Sequence, residues 1–444
     1  MRVAFLTLGC KVNSYETEKM KLQFEEAGHS IVAFSEQADV YIVNTCTVTN
    51  IADRKSRKML HRARRMNPDA VVVAVGCYVD SAKQKGEVDD AIDLFLSNEE
   101  KSRVVELVLA SRQLEQSEDR STQGKMSAAA QAQEHTRAYL KVQDGCNQYC
   151  SYCIIPYVRG PLTSKPVLQV VEEVEQLASE GIREVVVTGI HLSSYGVDGG
   201  DARAFVESKG EPLLELLEAI HAVEGIERIR LGSLEPRIIT REFALRLAKI
   251  GKICPHFHLS MQSGCDTVLQ RMNRHYTTKE YQEKADILRE VFSDPAITTD
   301  IIVGFPQETL EEFEITRAYA RQIGFAQIHV FKYSRRQGTV ADGMEGQVAE
   351  PDKSSRSDQL LHTARELEQQ YQALFLGRQE EVLFEEVTEI GGRHYLVGYT
   401  KRYVRIAVEV ADAAEAEKRC NTIENVRVMG HLEQGVLYGE SCKK

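Results

Sequence analysis

Three cysteines, Cys146, Cys150 and Cys153, form a C-x3-C-x2-C pattern within QDGCNQYCSYCIIP, directly after a strand-like run. Three thiolates this close suit an iron–sulfur cube. They hold three irons, the loop wraps one face, and the fourth iron, with no local cysteine, stays open to a small molecule. A structural zinc site, which would want a fourth Cys or His nearby, and a redox pair are the weaker readings. A second set is scattered: Cys10 in LTLGCKVN, Cys46 in IVNTCTVT and Cys77 in VAVGCYVD, each ending an apolar run. In a parallel sheet the carboxyl ends of the strands open onto one edge where ligands bind, so cysteines distant in sequence can meet there. Singly, each reads as a packing cysteine; three at one topological position point to a second cluster. Cys254, Cys265, Cys420 and Cys442 show no ligand spacing and read as ordinary thiols, with reactive-cysteine catalysis at Cys265 a weak alternative.

The elements that must place these residues follow from apolar periodicity. Strands at Val3–Leu8, Val40–Val43 and Val71–Val75 alternate with helices over Ser14–Ala27 and Arg54–Arg65, a small parallel α/β unit over residues 1–112. Residues 113–135, rich in Ser, Gln, Glu and Ala, read as a linker. The βα rhythm resumes over 136–374, with strands at Ala138–Val142, Glu184–Val187, Ile229–Leu231, Phe257–Ser260, Ile297–Val303 and Gln327–Phe331. Helices are expected at Val167–Ser179, Thr278–Phe292 and Asp358–Leu374, and a surface loop at Gly196–Pro212. Six parallel strands with crossovers predict a barrel or partial barrel. Residues 375–444 read as an all-β domain of short antiparallel strands at Glu381–Val387, His394–Thr400, Val404–Val410, Asn425–Gly430 and Val436–Tyr438.

Composition narrows the class. A chain of 444 residues, 43% hydrophobic and 27% charged, is a folded multi-domain protein. Its longest apolar stretch, Ala70 to Val79, is ten residues and falls far short of the roughly 20 a spanning helix needs, so no membrane partner is expected. The N-terminus lacks the pattern of a signal peptide, which predicts a cytoplasmic protein whose ten cysteines stay reduced. A net charge of −11 argues against a nucleic-acid binder globally but does not exclude local basic patches.

Further signals lie at the ends of the barrel strands, the face where barrel chemistry sits: Thr188-Gly189, the SLEP run at Ser233–Pro236, SMQSG at Ser260–Gly264, and DIIVGFP at Asp300–Pro306. With the cysteine spacing and Tyr152 before the last cysteine, this ordered series resembles the radical S-adenosylmethionine enzymes. LGCKVNSYETE, VNTCTVTNIADRKSR, DGCNQYCSYCIIPYVRG, VVVTGIHLSSYG, RLGSLEP, MQSGCDTVLQRMNRHYT and TDIIVGFPQET together resemble the methylthiotransferase family over nearly the whole chain. GCKVN, SLEP and QSGCD resemble its threonylcarbamoyladenosine tRNA branch more than the isopentenyladenosine tRNA or ribosomal-protein aspartate branches.

That resemblance implies an N-terminal parallel α/β domain, a partial (β/α)6 radical-SAM barrel and a small all-β TRAM-like RNA-binding domain. It implies two [4Fe–4S] clusters, held by Cys146, Cys150 and Cys153 and by Cys10, Cys46 and Cys77, with S-adenosyl-L-methionine as cofactor. Cofactor contacts are expected at Tyr152 before the last cysteine, at Thr188 and Gly189 beside the methionine amino group, at Ser233, Gln262 and Arg274 near ribose or carboxylate, and at Val303 and Gly304 beside adenine. The implied partners are tRNA, an external flavodoxin- or ferredoxin-like electron donor and a sulfur donor. Two basic features fit tRNA. Arg54, Lys55, Arg57, Lys58, Arg62, Arg64 and Arg65 crowd one helix, with Arg54, Lys58, Arg62 and Arg65 on one face. Tyr395, Tyr399, Lys401, Arg402, Tyr403 and Arg405 interleave aromatics with cations, as stacking surfaces do, although strand alternation explains the tyrosines equally. The reading of another class is a non-catalytic iron–sulfur RNA-binding module whose clusters only staple the fold.

Overall fold

The structure, a computed structural model, describes residues 1–86, 89–115, 136–199, 201–433 and 435–442. The chain divides into two compact units. One comprises Met1–Ala132, Tyr152–Pro161 and Ser334–Asp342; the other comprises Gln133–Ser151, Leu162–Tyr333 and Gly343–Lys444.

The first unit is built on a parallel sheet of β1 (Arg2–Thr7), β2 (Ser30–Val32), β3 (Val40–Thr45), β4 (Val71–Gly76) and β5 (Leu94–Leu96), in the order β2-β1-β3-β4-β5. Every residue of β3 and β4 is buried, as a sheet covered on both faces requires. Helices α1 (Lys11–Glu26) and α4 (Val104–Glu115) cover one face through Met20, Phe24, Val104 and Val108. Helices α2 (Asn50–Met66) and α3 (Cys77–Lys85) cover the other through Leu60, Ala63, Val79 and Ala82. Both expected helices begin about a turn earlier than their periodicity suggests. Thr49 caps α2 by accepting from the Ala52 N–H, and α1 opens immediately after Cys10. Helix α3, starting at Cys77 itself, is not anticipated by the apolar periodicity. Beyond the last turn of α4, the linker expected over 113–135 lies outside the described residues.

In the second unit, β6 (Arg137–Asp144), β8 (Glu184–Gly189) and β9 (Arg228–Leu231) run parallel, with the short β7 (Thr163–Ser164) antiparallel at the edge of β6. A second parallel sheet contains β10 (Ser233–Leu234), β11 (His256–Leu259), β12 (Ala296–Val303) and β13 (Gln327–Lys332). β9 and β10 are one strand interrupted at Gly232, so the six expected parallel strands form a continuous wall that hydrogen-bonds as two sheets. Phe257, Leu259, Ile297, Ile301 and Ile328 join Tyr281, Leu288, Phe313 and Ile323 of the helices in one core. The alternate residues His258, Thr298, Asp300 and His329 therefore lie on the inner face, away from the helical layer.

Two expectations need correcting. The segment Gly196–Pro212 is not a surface loop throughout: a helical turn at Ala204–Glu207 buries Phe205 against His191, and the helix Glu211–Ala222 begins inside it. The helix expected from Asp358 begins at Glu350, with Pro351 in its first turn, where the missing N–H costs nothing.

The tail is a closed barrel of β14 (Gln379–Ile390), β15 (Arg393–Thr400), β16 (Arg405–Glu409), β17 (Ile423–Glu433) and β18 (Val436–Ser441), in the order β14-β15-β16-β18-β17. It is not purely antiparallel. The helix Ala413–Arg419 carries the chain across so that β16 and β18 pair in parallel.

The aromatic and basic run of the tail is also spent differently from expectation. Tyr395 is buried, and Tyr403 stacks between Tyr399, at 4.6 Å, and His256 at the start of β11, at 5.0 Å. The Arg137 and Arg230 guanidinium groups lie 5.1 and 4.8 Å from the Tyr403 ring. Arg228 donates to the Tyr399 carbonyl and Arg230 to the Lys401 carbonyl, each at 2.9 Å. Arg402 donates to the Ser293 and Asp294 carbonyls, and Arg405 pairs with Glu386. Apart from the Arg405–Glu386 pair, which lies within the β-barrel, these side chains dock the barrel onto the N-terminal ends of the parallel strands. Tyr403→Ala should destabilise the protein by about 2–3 kcal/mol and lower its thermal midpoint by several degrees. An unchanged midpoint in a melting curve would show that the stack contributes nothing.

Candidate metal centre and cofactor rim

Cys10, Cys46 and Cys77 follow β1, β3 and β4, three neighbouring strands of the parallel sheet. Thr45 and Gly76 are register partners, so Cys46 and Cys77 leave adjacent strands side by side. Gly9 closes the group. At φ +107° it brings the chain so near that a Cβ there would stand 2.8 Å from Cys46 Cβ and 3.0 Å from its Sγ. Gly76, at φ +96°, likewise leaves no room, since a Cβ would stand 2.8 Å from Asn44 Oδ1. Cys10 is the N-cap of α1 and Cys77 opens α3, positions that favour an anionic ligand. Burial pushes the Cys46 thiol up to about 11, a hydrogen bond from the Val48 backbone opposes this, and the neighbouring sulfurs of Cys77 and Cys10 push it further. A metal binding such a thiol displaces its proton, which passes to solvent.

Around these sulfurs lies a charged shell that residue spacing did not reveal. Arg159, its side chain 1% exposed, bonds Glu16 Oε1 at 2.9 Å and Asn13 Oδ1 at 2.8 Å, and its Nε donates to Cys77 Sγ at 3.3 Å. Glu16 also takes Lys101 Nζ at 2.5 Å. Burial pulls the Lys101 ammonium below its usual value, and Glu16 opposes that pull. Asn98 Nδ2 reaches Cys77 Sγ at 3.7 Å and Asp80 at 2.6 Å, and burial shifts the Asp80 carboxyl toward its neutral form. Asn13 secures the loop from beneath by donating to the Leu8 and Thr45 carbonyls. Two buried cations against one carboxylate in direct contact leave positive charge beside three thiols. That donor set fits an anionic centre such as a cube held by three thiolates.

A second arginine holds the loop after Cys46. Arg336, 3% exposed, donates to Asn50 Oδ1 at 3.0 Å, Asp53 Oδ2 at 2.6 Å and Thr47 Oγ1 at 2.5 Å. A partial signal for Arg159 lies in the sequence, since its partners Asn13 and Glu16 share one face of α1; Arg159 and Arg336 themselves stand two and three residues after Tyr157 and Tyr333.

In the second unit, Cys146 and Cys150 lie in the loop after β6. Gln143, 1% exposed, shapes its start by donating to the Asp144 and Gly145 carbonyls while accepting from the His191 N–H at 2.7 Å. Burial raises the Cys146 thiol to about 11, and a bond from the Gln148 backbone lowers it. Ser151 bonds the Met272 and Arg271 carbonyls, and Asn273 bonds that of Tyr149. Arg274, expected at the cofactor, reaches Cys150 Sγ at 3.3 Å and lies over the Tyr276 ring. From the SLEP loop, Glu235 grips Arg237, which donates to Gln148 Oε1 at 3.1 Å. Cys153 and Tyr152 belong to the segment Tyr152–Pro161 of the first unit.

The remaining candidates lie at the C-terminal ends of the strands. Thr188 is buried near the end of β8 and Gly189 closes it, where a Cβ would stand 2.8 Å from Gln143 Oε1. Ser233 is exposed on β10, and Gln262, at φ +68°, bonds Asp300 and Ile302 through its backbone. Val303 is completely buried in the core, so only its backbone can meet a ligand. Gly304 donates to Glu308 at 2.6 Å. Below this rim, on the inner face, His258, Asp300 and His329 put three polar atoms within 4.8 Å of one another. His258 Nδ1 is bonded to Thr298, while its buried Nε2 faces Asp300 Oδ2 at 3.5 Å.

Residues 140–320 match the radical SAM superfamily, and residues 2–97 match the uncharacterized protein family UPF0004. The threonylcarbamoyladenosine tRNA methylthiotransferase MtaB of Bacillus subtilis is 37% identical, over 91% of this chain and 89% of its own. Its namesake in Aquifex aeolicus is 36% identical over 89% and 96%. The tRNA-2-methylthio-N(6)-dimethylallyladenosine synthase of Caldicellulosiruptor saccharolyticus is 32% identical over 95% and 86%. The fold resembles the radical S-adenosylmethionine methyltransferase TsrM from Kitasatospora setae, with a TM-score of 0.53 over 77% of each chain at 16% identity. Relatives this similar over nearly the full chain, together with the cysteine placement, establish that the chain belongs to the tRNA methylthiotransferases of the radical S-adenosylmethionine superfamily.

Proposed function

We propose that this chain methylthiolates carbon 2 of N6-threonylcarbamoyladenosine at position 37 of tRNA, giving 2-methylthio-N6-threonylcarbamoyladenosine. The family brings a [4Fe–4S] cluster and S-adenosylmethionine, which supply a carbon radical able to take hydrogen from an unactivated C–H bond, a task beyond any side-chain acid or base. In this reading Cys146, Cys150 and Cys153 hold that cluster. Arg274 hydrogen-bonds its Cys150 ligand, while Tyr152, Thr188, Gly189, Ser233, Gln262, Val303 and Gly304 border the cofactor. Cys10, Cys46 and Cys77 hold a second cluster that carries the sulfur. The electron and sulfur donors are separate proteins or small molecules, and the reaction takes place in the cytoplasm.

The observation that carries the choice of substrate is the polar inner face. The hydroxyl and urea of a threonylcarbamoyl group can hydrogen-bond to the cluster of His258, Asp300 and His329, whereas a dimethylallyl group offers it no polar contact. The names borne by the Bacillus and Aquifex relatives support the same choice. Mass spectrometry of tRNA nucleosides from a strain lacking the gene should show the methylthio group missing from threonylcarbamoyladenosine and retained on isopentenyladenosine. Loss from the isopentenyl nucleoside instead would reassign the substrate.

The division of labour between the two cysteine sets is also testable. Reconstituted protein should bind about eight irons, and the combined change Cys10→Ala, Cys46→Ala and Cys77→Ala should halve that number and abolish methylthiolation. Reductive cleavage of S-adenosylmethionine should persist. If cleavage disappears while four irons remain, the roles assigned to the two sets are wrong; if the unaltered protein never cleaves the cofactor, a non-catalytic RNA-binding module is the better account.

Helix α2 supports tRNA as the partner. Arg54, Lys55, Arg57, Lys58, Arg62 and Arg65 are exposed, and among the described residues no carboxylate pairs with any of them. Arg64 is different, since it pairs with Asp93 and ties down the Pro68 and Ala70 carbonyls. Like charges on one face gain from an external polyanion. Neutralising Arg54, Lys58, Arg62 and Arg65 together should weaken tRNA binding and flatten its salt dependence. The log–log slope should fall by about 0.7–0.9 for each phosphate that is no longer neutralised. An unchanged slope would leave this helix a solvated face.

A further inference from the structure

Joining a carbon-centred radical to a thiolate sulfur brings three electrons to a bond that holds two. The hydrogen has already left with the radical that abstracted it, so one electron remains when the C–S bond closes. It must pass to an acceptor at the sulfur-carrying site. With two clusters, the one that Cys10, Cys46 and Cys77 would hold could take that electron, its iron supplying the redox capacity at this site. The added electron would make the cluster more negative by one beside the buried Cys46 and Cys77, which is costly unless the surrounding groups stabilise it.

The pocket holds groups suited to that task. Arg159 Nε lies 3.3 Å from Cys77 Sγ in a side chain that is 1% exposed, and its other nitrogens are fixed by Glu16 and Asn13. Asn98 Nδ2 adds a longer contact of 3.7 Å to the same sulfur. Lys101 supplies a second buried cation through Glu16. N–H groups donating to a ligating sulfur, together with nearby positive charge, raise the potential of an iron–sulfur cluster by stabilising its reduced form. Arg159 is held too firmly to swing away, because its guanidinium is braced on three sides.

We infer that Arg159, assisted by Asn98, is a positioning residue that raises the reduction potential of the Cys10/Cys46/Cys77 cluster so that it can accept the electron released on C–S bond formation. The inference rests on the two-cluster reading. The test therefore uses the full chain carrying Cys146→Ala, Cys150→Ala and Cys153→Ala, in which only the first-unit cluster remains. Its midpoint potential is measured by dye-mediated titration followed by electron paramagnetic resonance, with iron content determined in parallel. Arg159→Gln should move the midpoint to more negative potential. Arg159→Lys, which keeps the charge but loses the Nε–H donor, should move it less, and Asn98→Ala should shift it slightly in the same direction. If Arg159→Gln fails to hold iron, the other two variants decide. Coincident midpoints in iron-loaded variants overturn the inference while leaving the two-cluster reading intact. Absence of iron from the triple-cysteine background overturns that reading, and the inference with it.

Discussion

One buried carboxylate organises the sulfur-rich end of the first unit. Glu16 receives Arg159 on one side and Lys101 on the other, and through Arg159 it fixes the group that touches Cys77. A buried ion pair contributes little net stability, but removing one partner costs about 3–5 kcal/mol because a naked charge is left behind. Without Glu16 two cations would face each other in an apolar setting. The loop after β4, the start of α1 and the segment around Arg159 thus share a single electrostatic solution. Its surplus positive charge makes the site suited to anionic sulfur.

The backbone supplies the other half of that solution. Parallel strands deliver their ends to one edge, and Gly9 and Gly76 remove the side chains that would keep those ends apart. The same device recurs in the second unit, where Gly189 lets Gln143 pass beneath the strand end and shape the turn into Cys146. In both units a buried amide or guanidinium, rather than a metal ligand, sets where the cysteines point. At the other end of the parallel strands of the second unit, Arg137, Arg228 and Arg230 receive Tyr403 and the backbone of the tail.

What could be read from the sequence was what is encoded locally. C-x3-C-x2-C is a short-range pattern, the strand runs before Cys10, Cys46 and Cys77 announce themselves by hydrophobicity, and the βα rhythm gives the order of the barrel strands. Arg159 and Glu16 are 143 positions apart, and no periodicity links them. Arg336 and Asp53 are farther apart still. The run GYTKRYVRI misleads for a physical reason: aromatics interleaved with cations suit a nucleic acid, but they suit equally an arginine-lined sheet end in the same chain. Helix α3 was invisible because a helix of nine residues that begins at a cysteine and follows a glycine carries almost no capping signal.

The central claim is that Cys10, Cys46 and Cys77 form a cluster site separate from the one that binds S-adenosylmethionine. Mössbauer spectroscopy of the full chain loaded with 57Fe, recorded with and without S-adenosylmethionine, tests it most directly. Two four-iron cubes are expected, with the cofactor changing the signature of about one iron in eight. A single cube, or a cofactor response spread equally over both, would contradict the claim.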